Sequence, residues 1–254
     1  GADYFGQSVS VSGDTAVIGA AGDDHAGGWE AGSAYVFVRS GGVWTQQAKL
    51  TAPDAADSDY FGRSVFVSGN TAVVGADLDD HAGGTDAGSA YVFVRSGGVW
   101  TQQAKLTASD AAAYDYFGVS VSVSGDTAVI GAEGDDTAGG ENAGSAYVFV
   151  RSRGVWMLQA TLTASDAERD DGFGVSVSIS GETAVIGAWC DDHAGGTDAG
   201  SAYVFVRSGG VWTEQAKLTA SDAADGDEFG VSVSICGDTA VIGARGDDHA
   251  GGYD

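Results

Sequence analysis

DYFGQSVSVSGDTAVIGA, residues 3–20, returns with small changes at Asp59, Asp115, Asp171 and Asp227. The period is 56 residues, and the first two copies agree at 45 of 56 positions. A fixed period of this length marks an array of supersecondary units, and the whole chain has to be read in that light. Four copies are complete (3–58, 59–114, 115–170 and 171–226), and a fifth runs from 227 to 254 without its second half.

Each copy reads as four short strands. Residues 5–12 alternate Phe and Val against Gly and Ser, the two-residue period of a strand. Gly13-Asp14 then supplies a two-residue turn. Residues 15–20 and 33–39 are apolar on both faces, and Gly41-Gly42 turns the chain again. In the fourth strand, 43–52, Trp44, Ala48 and Leu50 are expected on one side and Thr45, Gln47 and Lys49 on the other. Three strands buried on both faces followed by one half-exposed strand describe a sheet packed between similar sheets. The fold class is therefore all-β, a β-propeller of four-stranded antiparallel blades forming one domain over 1–254. No segment shows the 3.6-residue period that a helical solenoid needs.

Composition bounds the rest. The 254 residues are 43% hydrophobic, with 42 Gly and one Pro, which suits a packed core with many tight turns. Lys and Arg number 11 against 36 Asp and Glu, a formal charge of −25. Such a surface repels nucleic acid and favours cations or basic partners. No apolar run is long enough for a membrane span. The opening GADYFG lacks a basic-then-apolar leader, so any targeting segment is expected to be gone already.

The pattern Phe5-Gly6, Val17-Ile18-Gly19-Ala20 and Gly32-Ser33-Ala34-Tyr35-Val36-Phe37 resembles the FG-GAP repeat, which builds the propeller of integrin α chains and occurs in secreted bacterial proteins. The resemblance implies an extracellular or cell-surface setting and a role in adhesion or ligand binding. Several integrin repeats carry a calcium loop of the type DxDxDGxxxD between the first two strands. Here that place holds Ser12-Gly13-Asp14-Thr15, too short to wrap a cation with six or more oxygens, so those metal sites do not carry over.

The fifth copy would leave strand 239–244 as a bare apolar edge. Either the chain is a piece of a longer propeller, or two chains pair their half-blades as a homodimer about a two-fold axis.

Differences between copies one and two gather in two loops, 21–30 and 53–58, which antiparallel strands place at one end of the propeller. That end is the expected recognition face, against drift of exposed loops as the alternative. It carries an acidic pair in every copy: Asp23-Asp24, Asp79-Asp80, Asp135-Asp136, Asp191-Asp192 and Asp247-Asp248. His follows four of them, and Thr137 follows the third. Three roles are open for these pairs: Ca²⁺ ligation by hard oxygens, another metal, or side-chain capping of the loop backbone.

Trp29, Tyr114, Trp189 and Tyr253 are aromatics in columns otherwise filled by small or polar residues, Trp29 and Tyr253 in one column, where exposed rings beside carboxylates suit stacking on sugars; local packing is the alternative. Arg245-Gly246-Asp247 spells RGD within a column reading xGDD, so Arg245 is a further candidate contact and chance the alternative. Trp44, Trp100, Trp156 and Trp212 recur in register and are expected in the core. Cys190 and Cys236 fall at opposite ends of their blades and are expected as free thiols.

Polar residues repeated around a ring do not converge as a catalytic constellation must, and no nucleophile, zinc or phosphate motif is present. The expectation is a non-enzymatic module binding a glycan or protein ligand through the loop face, with calcium as a candidate cofactor. The alternative is a structural repeat module, stabilised by calcium or adapted to salt. Only three lysines (Lys49, Lys105, Lys217) accompany the acid excess, as in salt-adapted proteins.

Overall fold

The structure is a computed structural model and describes residues 2–247. Its elements are all strands. Blade one holds β1 (Phe5–Ser12), β2 (Thr15–Ala20), β3 (Ser33–Ser40) and β4 (Val43–Leu50). Blade two holds β5 (Ser64–Ser68), β6 (Thr71–Ala76), β7 (Ser89–Ser96) and β8 (Val99–Leu106). Blade three holds β9 (Ser120–Ser124), β10 (Thr127–Ala132), β11 (Ser145–Ser152) and β12 (Val155–Leu162). Blade four holds β13 (Phe173–Ser180), β14 (Thr183–Ala188), β15 (Ser201–Ser208) and β16 (Val211–Leu218). A two-stranded sheet, β17 (Phe229–Cys236) with β18 (Thr239–Ala244), follows. Every full blade is an antiparallel meander in chain order, as the alternation and the Gly turns predict.

The core lies between blades. One cluster joins Val36, Leu50 and Ala52 of blade one to Val65, Val67, Tyr91 and Trp100 of blade two, and equivalent clusters join blades two to three and three to four. At the outer rim Trp100 Nε1 donates to Gln47 Oε1 at 2.9 Å, and Arg95 stacks over the same indole while donating to Thr15 of the blade before. At the inner rim Ser8 Oγ donates to the Gly62 carbonyl at 2.7 Å. That carbonyl approaches so closely that a Cβ on Gly19 would lie 1.9 Å from it, which explains the glycine in this column.

Two expectations need correction. The fourth strand does not alternate cleanly, because its pairing with the third shifts between Val36↔Ala48 and Phe37↔Gln46. Gln47 is the extra residue of a bulge, so Gln47 and Ala48 both face the next blade, while Trp44 and Lys49, five residues apart, share the opposite face. The four tryptophans are also not equivalent. Trp100, Trp156 and Trp212 are 8–9% exposed, but Trp44 is 41% exposed because no blade covers that side of blade one. Val9 and Val11 are exposed there for the same reason, whereas their counterparts Val65 and Val67 are buried. At the other end β18 pairs only with β17 among the described residues, and Val241 is exposed. The ring of sheets is therefore not closed.

Candidate functional site

The acidic loops come first, because they recur in every blade. In the four complete blades the first Asp of the pair is buried and tied inward. Asp79 Oδ2 accepts from Ser89 Oγ at 2.5 Å and from Lys105 Nζ at 2.8 Å; Asp23 and Asp191 have the equivalent Ser33 and Lys49, Ser201 and Lys217. The second Asp caps the loop: Asp24, Asp80, Asp136 and Asp192 each accept the backbone N–H six residues on, at 2.7–2.9 Å. Histidine completes the loop. His25 Nδ1 accepts from Gly27 N–H, so its proton sits on Nε2, which donates to the Gly32 carbonyl. His81 and His193 repeat this, and Thr137 Oγ1 takes the Nδ1 role at 3.0 Å. Among the described residues no three His, Cys, Asp or Glu groups are spaced to hold a metal ion. These partners favour the capping alternative. The turn between the first two strands fits no calcium loop either, since Asp14 there pairs with Arg39 at 2.7 Å. Asp247 lies at the limit of the described residues; Asp248, His249 and Tyr253 lie outside them.

Lys105 and Lys217 clamp blade to blade. Lys105 binds Asp79 of its own blade and, at 2.7 Å, Asp54 of the preceding linker, where Tyr91 Oη also donates. Burial raises Asp54, but the Lys105 hydrogen bond and charge more than offset it and hold that carboxyl below its usual range; Lys105 is held above its own. Blade three has Thr161 in place of this lysine, and there burial leaves Asp135 raised. Replacing Lys105 with Met leaves two carboxylates facing each other. We expect Lys105→Met to cost about 2–3 kcal/mol. Lys49→Met, at a lysine whose one ion pair is to Asp23, should cost less than half as much. Urea melts at pH 7 compare the two, and equal losses would refute the clamp.

The singular residues behave differently. Tyr114 and Trp189, distant in sequence, line one cavity of about 400 Å³ with Tyr116, Glu133, Asn142 and Asp170. This is within the size range of ligand sites. Tyr114 is 54% exposed with φ 71°, a left-handed conformation. Its column otherwise holds Ser58, Asp170 and Gly226, also at positive φ, so the backbone demands this geometry and tyrosine is an expensive choice for it. Trp189 fits because Gly172 lies beneath it: a Cβ there would stand 2.6 Å from the indole Nε1. Gly172 occupies the column of Tyr4, Tyr60 and Tyr116, so blade four exchanges one aromatic position for another.

Arg245 stacks over Trp189 at 5.0 Å and pairs with Glu228, so the arginine of the RGD triplet is engaged within the fold. Trp29 is exposed but lies on blade one, outside this cavity; its backbone N–H donates to Asp57 Oδ1 of the following linker, so both variable loops share one end. Both cysteines are free. Cys190 lines the cavity, where burial and nearby carboxylates push its thiol up to about 12.

Glu133 was not singled out by the motif reading. Its column reads Ala21, Asp77, Glu133, Trp189, Arg245, five different residues in an otherwise uniform repeat, and that disagreement is the signal that finds it. Burial raises Glu133, Asp77 raises it further, and Arg63 opposes both. Asp77 Oδ1 is buried without a hydrogen-bond partner.

The FG-GAP repeat model matches residues 1–37, 44–93, 100–149, 156–205 and 212–254. The chain belongs to the FG-GAP repeat family. Its internal family units run from the fourth strand of one blade to the third of the next, so each spans a blade joint. No curated protein matches the chain.

Proposed function

We propose that this FG-GAP chain is a non-catalytic binding module of an extracellular or cell-surface setting, and that it engages a glycan or protein ligand through the Tyr114–Trp189 cavity at its loop end. The observation that carries this reading is Tyr114: an exposed ring, held where glycine or aspartate would be cheaper, beside a second singular aromatic. A side chain that costs backbone energy and contributes little packing is retained for contact. This reading does not require calcium; melts in EDTA and in millimolar Ca²⁺ test for it at the acidic loops.

Tyr114→Gly separates stability from binding. The variant should melt at the wild-type temperature or a few degrees above it, by about 1 kcal/mol, and should lose retention on glycan and peptide arrays. A wild-type binding partner that holds Tyr114→Gly equally would move the site elsewhere. A second reading, a structural module that seats further blades, is favoured by the exposed Val9, Val11 and Trp44 face. Pairing of two chains through the half-blade belongs to that reading, and light scattering over a concentration series tests it.

A further inference from the structure

Resting on the cavity reading above, we infer that the group recognised there is an alkylated ammonium. Tyr114 and Tyr116 line the same cavity as Glu133; Trp189 completes the lining with Arg245 already stacked over its ring, the kind of cation–aromatic contact that a ligand ammonium on the tyrosines would extend. The two tyrosine ring centroids lie 6.5 Å apart with planes tilted by 54°, so their faces diverge around a concave space and do not stack flat. Aromatic faces carry negative quadrupoles that attract a cation, and alkyl groups on nitrogen bury well against them. A bare metal ion is a poorer fit, because among the described residues no three acidic, histidine or cysteine groups come together to hold one.

The polar groups of the cavity argue the same way. Asn142 Nδ2 donates to Asp170 Oδ1 at 2.9 Å, and Arg169 Nε donates to Asp170 Oδ2 at 3.1 Å. Those groups satisfy one another and leave little for the many hydroxyls of a sugar. Glu133 accepts no hydrogen bond from these groups; its charged neighbours are Asp77, another acid, and Arg63, which pairs with Asp77 at 3.8 Å. A cation seated between the rings would complete that imbalance, on a chain of formal charge −25.

The test is calorimetric titration of the whole chain with four probes. They are choline, a trimethyllysine peptide, the neutral tert-butyl isostere 3,3-dimethylbutanol, and maltose. Choline or the peptide should bind about tenfold or more tightly than the isostere, the effect of one good cation–aromatic contact. Tyr114→Gly and Glu133→Gln should each weaken that binding about tenfold while melting like the wild type. Tighter binding of choline would mark a headgroup-type source, and tighter binding of the peptide a protein source. Equal binding of the isostere, or binding of maltose alone with loss in Tyr114→Gly, would overturn the ammonium inference and leave the cavity reading standing. No binding by any probe, together with array partners indifferent to Tyr114→Gly, would overturn both.

Discussion

Gly187→Ala should lose at least about 3 kcal/mol, roughly 6–12 °C in melting temperature, whereas Gly243→Ala should lose less than about 1 kcal/mol. The two glycines occupy the same column, one in blade four and one in the terminal half-blade. A Cβ on Gly187 would stand 1.8 Å from the Gly230 carbonyl oxygen of the next sheet, and that carbonyl is fixed, since it pairs with Ser176 Oγ at 2.7 Å. Backbone cannot rotate away, so the joint between blade four and β17 must open. On Gly243 the nearest atom is Ser232 Oγ at 2.4 Å, a side chain free to change rotamer. Both glycines hold the same strand position, so intrinsic strand propensity is matched; what differs is the surroundings, with a neighbouring sheet pressed on Gly187 and, among the described residues, none on Gly243. Equal melting temperatures for the two variants would refute the account of why this glycine recurs.

Acidification should stabilise the protein before it destabilises it. Asp59, Asp115 and Asp171, the first residues of their repeats, are buried and accept one backbone N–H each, from Ala56, Ala112 and Glu168. Burial, the largest cause, and nearby carboxylates push all three up to about 6; burial does the same to Asp77. A carboxyl whose folded pKa exceeds its unfolded value binds its proton more tightly when folded. Stability therefore rises as pH falls from about 7 to the unfolded value near 3.8. A displacement of that size costs the ionised form up to about 3 kcal/mol per group, and local polarisation reduces the total for four to the order of 5 kcal/mol. Relief of repulsion within a chain of formal charge −25 acts in the same direction. Asp23, Asp54 and Asp166 work oppositely: their pKa values are held down by lysine, so their contribution is lost below about pH 4. The melting temperature should peak between about pH 4.5 and 5.5, on the order of 10 °C above its value at pH 7.5. A maximum at pH 7 or higher would sink this account.

The blades were legible because the repeat states the first two strands five times and the last two four times, with Gly turns between them. The bulge at Gln47 was not, since a strict two-residue alternation has no place for an extra residue until the partner strand is seen. Trp44 was misjudged because a repeat column describes sequence and not neighbours: identical residues are core or surface according to whether another blade abuts them. The acidic pairs left metal ligation and backbone capping both open because their partners, Ser89, Lys105 and a backbone N–H for Asp79-Asp80, come from three different segments. Tyr114 and Trp189 were visible as exceptions to their columns. That they share a cavity was not, because they lie on different repeats, and Glu133 drew notice only once they were together.

The seat that Gly172 makes for Trp189 also bears on how the chain finds its fold. Five near-identical copies of the first strand compete for five near-identical copies of the second, so hairpins assembled from the wrong copies are almost as good as the right ones. β14 is different. Paired with β9 instead of β13, it would drive the indole of Trp189, the residue that follows it, into the column position of Tyr116, where the lead into β13 offers the bare Gly172. One oversized side chain and one missing one act as a key that admits a single mate, and in a chain of copies such irregularities make the correct assembly the best one.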